Sequence, residues 1–489
     1  MRILPLAKGV QPRIAGGDRR KWWTLAAVAV GLFMIMLDNT VVNVALPTIQ
    51  RDLGLSLAEL EWVVTGYALT FAAFMLTGGK LADLLGRRKI FVAGLVVFSV
   101  ASLFCGLAGG AELLIAWRIV QGIGAAMMNP ATLSIITAVF PPRQRGMAIG
   151  VWAGVSALAL AIGPLLGGLL TEHISWGWIF FINVPVGMLG IAASFLFIDE
   201  SHDESEEQRL DVPGLLTSGV GLFALTYALI QGNTDGWMSA QILGAFAVAA
   251  VGLAAFVAIE LRSHAPMLDL GLFRNPTFAG ANAAMLLVAL AMFGVFFFVS
   301  LYMQQILGYS PVKAGATFLP MTVLIILVAP LAGRLSDKLG ARWIVGLGLT
   351  LVGISLVLYS RLDATSTFMD ILPGLLTGGL GMAMSMAPTT AAAMASVPVD
   401  KAGVGSAVLN SMRQVGGSIG IAVMGAIVAH VLDSSLAAGD PRPVAFVNGF
   451  QTALEVAAII AFAGAFIAVL LIRHTPSAEP EASIETIAA

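Results

Sequence analysis

Residues 79–89 read GKLADLLGRRK, and residues 333–343 read GRLSDKLGARW. Gly79, Leu81, Asp83 and Gly86 of the first stretch return as Gly333, Leu335, Asp337 and Gly340, each 254 positions further on. One constant offset across a polar, glycine-punctuated turn marks an internal duplication, the sequence signature of folds assembled from two related units. Long apolar runs flank both copies. The repeated unit is therefore a set of apolar helices joined by short polar turns.

Moving outward from the repeat, windows of the length needed to cross a hydrocarbon core, about 20 apolar residues, recur along the chain. They fall near 22–46, 58–79, 90–109, 112–138, 146–171, 178–198, 211–231, 238–260, 277–306, 311–333, 342–360, 368–395, 402–432 and 446–472. Composition agrees: 58% of residues are hydrophobic and 11% charged, against roughly 25% charged in a soluble domain. The predicted fold class is an all-α integral membrane protein with fourteen transmembrane helices. The basic segment from Arg2 to Lys21 precedes an apolar stretch too long for a signal-peptide core, so residues 22–46 read as the first span. An even number of crossings puts both termini on one side. Most of the 26 Lys and Arg fall on that side, the opposite loops holding only Arg51, Lys313, Arg361 and Arg442. That bias predicts cytoplasmic termini.

The expected organisation is a cytoplasmic basic segment at 1–21, a six-helix bundle at 22–198, an acidic cytoplasmic loop at 199–210, an inserted helix pair at 211–261, a cytoplasmic linker at 262–276, a second six-helix bundle at 277–473 and a cytoplasmic tail at 474–489. A net charge of -2 and the absence of a groove-reading motif argue against nucleic-acid binding. The single cysteine, Cys105, excludes an intrachain disulfide, and the five histidines show no metal-ligand spacing. No nucleophile elbow, phosphate loop or HExxH occurs, so neither an enzyme nor direct ATP coupling is indicated, and no cofactor or metal is expected.

Ionisable side chains at membrane depth are costly and are functional candidates by default. Asp38, Arg118 and Arg413 stand out. At a rise of about 1.5 Å per residue, Asp38 lies roughly 12 Å and Arg118 roughly 9 Å from the outer ends of their spans, so they share a depth. Opposite charges there pair, and protonating Asp38 releases Arg118 for another partner, which makes a proton switch. A static ion pair that only sets helix register is the alternative. Arg413, in NSMRQVGGSIG, has no acid in a span at its depth; Glu455 is the nearest candidate, with Gln414 or backbone carbonyls as substitutes. One repeat offset on from Asp38 and Arg118 stand Met292 and Leu372, so the deep pair is not duplicated.

LDNTVVNVALP (Leu37 to Pro47), GKLADLLGRRK, RIVQGIGAA (Arg118 to Ala126), GPLLGG (Gly163 to Gly168) and WGWIFFINVP (Trp176 to Pro185) together resemble the major facilitator superfamily. Within it, the chain is similar to the fourteen-helix drug:proton antiporters (the DHA2 family, EmrB/QacA-like multidrug efflux transporters). The resemblance implies two six-helix bundles plus two inserted helices, a bacterial-type plasma membrane, and coupling to a proton gradient with no cofactor. It implies that Asp38 exchanges protons and Arg118 tunes it. Gly79, Asp83, Gly86, Arg87 and Arg88 match a cytoplasmic gate motif that latches the halves in the outward-facing state, with Asp337 as a weaker second copy because Ala341 stands where Arg87 does in the first. Gly154, Gly163, Pro164, Gly167 and Gly168 resemble the antiporter motif, whose small residues permit close helix approach and whose proline permits a bend.

Asn39, Asn43, Tyr67, Gln121, Met127, Asn129, Gln304, Arg413 and Gln414 are the candidates for substrate contact or gating. Methionines on spans 1, 4 and 12 and Phe296 to Phe298 suit an adaptable apolar wall, although core packing explains most of them equally well. Span 10 carries no acid between Lys313 and Gly333, which points to neutral or monocationic compounds rather than dications. The expected partners are hydrophobic, often cationic small molecules, protons and the lipid bilayer, with a single chain sufficient to form the path. Export of one endogenous metabolite is the alternative; a non-transporting receptor fits less well, since it gains nothing from such costly buried charges.

Overall fold

The computed structural model describes residues 18–202, 211–263, 266, 268–397 and 402–473. Most of the expected basic segment, the acidic run 203–210 and the tail 474–489 lie outside the described residues. The chain runs α1 (Asp18–Leu53), α2 (Leu57–Leu85), α3 (Arg87–Gly106), α4 (Ala111–Val139), α5 (Pro142–His173), α6 (Trp178–Phe181) and α7 (Asn183–Phe197). It continues through α8 (Val212–Asp235) and α9 (Ala240–Arg262), then, after a 3-10 turn at Leu270–Arg274, α10 (Pro276–Gln305), α11 (Pro311–Thr317) and α12 (Leu319–Leu339). α13 (Ala341–Tyr359), α14 (Phe368–Ala395), α15 (Ala402–Ala437) and α16 (Arg442–Leu471) complete it. Short α6 and α7 share one crossing, as do α11 and α12, so fourteen apolar crossings result and this is a multi-pass membrane protein.

Several helices outrun their apolar windows. α1 has 36 residues, about 54 Å at 1.5 Å each, against a core of about 30 Å. Apolarity reports the hydrocarbon, whereas backbone hydrogen bonding continues through the headgroups. Starts are chemically marked. Ser56 accepts from the Glu59 amide while the Glu59 carboxylate accepts from the Ser56 amide at 2.8 Å, a reciprocal cap on α2. Thr367 and Asp370 repeat the device on α14.

The duplicated turn now has a physical reason. Gly86 ends α2 with φ 113°, and Gly340 ends α12 with φ 87°, both in the left-handed region that a side chain disfavours. Each also donates its amide to the helix it closes, Gly86 to Ala82 and Gly340 to Ser336.

α1–α7 pack among themselves, as do α10–α16. The apolar core is divided in another way. Residues of α1–α4 near the termini form one cluster around Phe71, Phe91 and Phe98. The far ends of the same helices, including Val42, Leu46, Ile49, Leu60 and Val63, merge with the core of α10–α16 into a second. On that side, opposite the termini, the halves are bonded. Ser300 donates to the Asn43 carbonyl at 2.9 Å, Gln304 to the Val44 carbonyl at 2.9 Å, Gln305 to the Gln50 side chain at 2.6 Å, and the Val312 amide to Glu172 at 2.8 Å.

α8 and α9 pack on each other, and α8 touches one helix of each half. Trp62 of α2 stacks on Phe223 of α8 with centroids 6.4 Å apart, and Asn233 of α8 donates to the Ala426 carbonyl of α15 at 2.6 Å. Near the termini, Asp211 caps α8 by accepting from the Gly214 amide, and Asp211 and Glu260 lie within electrostatic reach of Lys80 in the first repeat turn. α9 is outermost and presents Val251 and Leu261 to lipid.

Candidate functional site

Asp38 on α1 and Arg118 on α4 meet in the first bundle, 0% and 1% exposed. Arg118 Nη1 donates to Asp38 Oδ2 at 2.5 Å and to Gln121 Oε1 at 2.7 Å, and its Nε donates to the Val63 carbonyl at 2.9 Å. Gln121 Nε2 returns a bond to Asp38 Oδ1 at 2.9 Å, closing a ring of three side chains. The guanidinium carbon also lies 4.3 Å from the Tyr67 ring centroid and 5.7 Å from that of Phe180. Charge and hydrogen-bonding capacity are thus met at close range, which a buried ion pair requires.

The ring extends. Gln121 Nε2 reaches Ser102 Oγ at 3.3 Å, Asn183 Nδ2 donates to the same oxygen at 3.0 Å, and Ser102 donates to the Phe180 carbonyl at 2.8 Å. Sequence reasoning missed Ser102, Asn183 and the Val63 carbonyl. Asn183 does sit inside WGWIFFINVP, so a signal was present, but a neutral polar residue in a span does not name its partner. Glu61 was missed as well. It lies four residues into α2, where an acid reads as interfacial, yet it is 2% exposed and its carboxyl abuts Gly425 of α15.

The model of the Major Facilitator Superfamily matches residues 28–421. The chain belongs to the major facilitator superfamily. It is 37% identical over 422 residues to the tetracenomycin C resistance and export protein of Streptomyces glaucescens, covering 86% of this chain and 78% of that one. Identity and coverage are the same for the multidrug resistance protein Stp of Mycobacterium tuberculosis. A bacterial homolog of the human lysosomal transporter Spinster has the same fold, with a TM-score of 0.66 over 94% of this chain and 98% of that one at 19% identity.

In this facilitator the two arginines of the loop motif are bonded close to their own half. Arg87 Nε donates to Asp83 at 2.9 Å and its amide to the Ser201 carbonyl at 2.8 Å; the Arg88 amide donates to Glu200 at 3.0 Å and its guanidinium to the Ile198 carbonyl at 3.1 Å. Among the described residues, these partners all belong to the first half or to the segment directly after it. Gly79 packs on the Pro130 ring of α4. The side chain of Asp337 lies outside the described residues.

The glycines of the antiporter-like row on α5 meet different surroundings. Gly163 and Gly167 lie against Thr40 and Val41 of α1, and Gly168 against the Pro311 carbonyl of α11, across the halves. Gly315 of α11 reciprocates by resting on the Pro164 carbonyl. Gly154 has no heavy atom within 4 Å of where a Cβ would stand and is exposed. A bilayer-crossing helix meets different neighbours along its length, so one row need not do one job.

The other candidates divide. Asn43 and Gln304 belong to the closure between halves. Asn129 is buried on α4, while Asn39 and Met127 are half-buried. Met34, Met36, Met128, Phe297 and Phe298 are core packing. Neither suggested companion of Arg413 serves it. Glu455 is exposed on α16, and both amide atoms of Gln414 are buried without a hydrogen bond. Arg413 itself is half-buried on α15.

Proposed function

We propose that this chain is a proton-coupled exporter of hydrophobic small molecules that works by alternating access of its two six-helix bundles in a plasma membrane, with cytoplasmic termini. The observation that carries the reading is the fully buried Asp38, whose carboxylate is held by Arg118 and Gln121 on another helix. Protonating Asp38 removes the charge that holds Arg118, and the freed guanidinium exerts its field on whatever enters between the halves. The closure opposite the termini, and loop arginines bonded to Asp83 and to residues 198–201 rather than to the second half, fit an inward-facing state, ready to load from the cytoplasm. Both relatives named above are resistance proteins, one named for export of a single antibiotic and the other for multidrug resistance. Their equal identity makes substrate breadth the quantity to measure.

Purified protein in liposomes, challenged with candidate substrates, is expected to release protons on substrate binding and to transport under an imposed pH gradient. Asp38→Asn is expected to abolish both while leaving the protein folded. Transport that ignores the gradient in the wild type refutes proton coupling.

A further inference from the structure

Glu61 stands about 6 Å in from the start of α2, on the side opposite the termini. At that depth a carboxylate ordinarily reaches water, yet Glu61 is 2% exposed. What covers it is the other half. Gly425 of α15 has no side chain, and a Cβ built there would fall onto Glu61 Oε1 and lie 2.7 Å from Oε2. The carboxyl therefore fills the notch that the missing side chain leaves, one half inserted into the other. α8 seals the same junction. Trp62, next to Glu61, stacks on Phe223, and Asn233 donates to the carbonyl of Ala426, next to Gly425, at 2.6 Å.

Among the described residues nothing in the junction answers a charge on Glu61: its carboxyl has neither a hydrogen-bond donor nor an ion-pair partner. The donors close by are spent, the Thr65 hydroxyl on the Glu61 backbone carbonyl at 2.8 Å and the Asn233 amide on Ala426. Charged groups on the surrounding helices are engaged or turned to solvent. Glu59 closes the α2 cap, and Arg118 of α4 is held by Asp38. Glu112 of α4, Asp235 of α8, and His430 and Asp433 of α15 are exposed. A carboxylate without a partner is far costlier to bury than the neutral acid.

Resting on the alternating access of the exporter reading above, we propose that Glu61 is a second proton-binding site, which holds its proton while α2 and α15 are closed and exchanges it with the outer medium when they part. The O–H bond forms as the carboxylate leaves water for the Gly425 notch and breaks as it returns, so the proton comes from and goes back to the same side. The site therefore adds nothing to the protons that Asp38 carries inward. It makes closure depend on outer pH: above the ordinary range of a hydrated glutamate, about 4.3, acid favours the closed arrangement and alkali the open one. One linked proton changes that equilibrium by up to about tenfold per pH unit.

Opening is read in the purified full-length protein by maleimide labelling of Ser300→Cys in a Cys105→Ser background, Ser300 being 0% exposed in the closure. Dividing each rate by that of the same reporter carrying Glu61→Gln cancels the pH dependence of the thiol itself. The ratio is expected to rise about tenfold or more from about pH 6 to about pH 8. Gly425→Ala acts from the other helix: its methyl takes the notch and turns out the carboxyl, which is the end of a flexible side chain and gives way before the backbone does. It is expected to cut the rise to about twofold or less. A flat or falling ratio, or a Gly425→Ala profile parallel to the wild type, overturns the proposal; the second comparison needs no Glu61 variant and holds even where Glu61→Gln does not fold. A rising ratio without transport under an imposed pH gradient refutes the exporter and leaves this site standing; transport with a flat ratio does the reverse.

Discussion

Gly168→Ala tests whether the contact between α5 and α11 holds the side opposite the termini shut. The added methyl stands 2.5 Å from the Pro311 carbonyl oxygen, where real Cβ contacts stay beyond 3.0 Å. The helices must part there by about 0.5 Å or more, since the obstructing atom is backbone and cannot swing aside. Overpacking of this kind costs about 1–3 kcal/mol. The cost falls on the closed arrangement alone, because the two surfaces separate in the alternate one. At tenfold per 1.4 kcal/mol, the closed population falls by between about fivefold and 150-fold relative to the open one. Gly315→Ala acts from the other half against the Pro164 carbonyl and is expected to be at least as severe. Gly154→Ala, with nothing within 4 Å, is the control. The reporter is Ser300→Cys in a Cys105→Ser background, since Ser300 is 0% exposed in the closure. Its labelling by a membrane-impermeant maleimide is expected to quicken in Gly168→Ala by about fivefold or more. Labelling at the parental rate, or an equal acceleration by Gly154→Ala, refutes the assignment of α5 and α11 as the closing contact.

Two further outcomes follow from named bonds. Ser102→Ala removes a hydroxyl that accepts from Asn183 and Gln121 and donates to the Phe180 carbonyl; it is expected to destabilise the protein by about 1–3 kcal/mol, because the Asn183 amide stays buried unpaired. Thermal unfolding in detergent reads this, with Ser194→Ala, whose hydroxyl donates to the Gly190 carbonyl of its own helix, as the milder comparison. Asn233→Ala cuts the bond from α8 to the Ala426 carbonyl and is expected to cost about 1 kcal/mol and to speed Ser300→Cys labelling modestly. An unchanged rate refutes a role for α8 in bracing the two halves.

Much of this architecture was legible before any coordinates. Crossing number follows from apolar length, a local property, and the 254-residue offset exposes two related units because both copies need a left-handed glycine, Gly86 and Gly340, at the same turn. Depth along a helix is also local, which is why Asp38 and Arg118 could be set at one level. Facing is not. Which side of α4 meets α1, that Ser102 and Asn183 join the ring, and that Glu61 turns inward against Gly425 are decided by how helices far apart in sequence rotate and tilt against one another. In a bilayer nearly every surface is apolar, so hydropathy no longer separates the packed face from the lipid face. Close packing of small residues and the matching of scarce polar groups decide it, and both depend on the whole bundle.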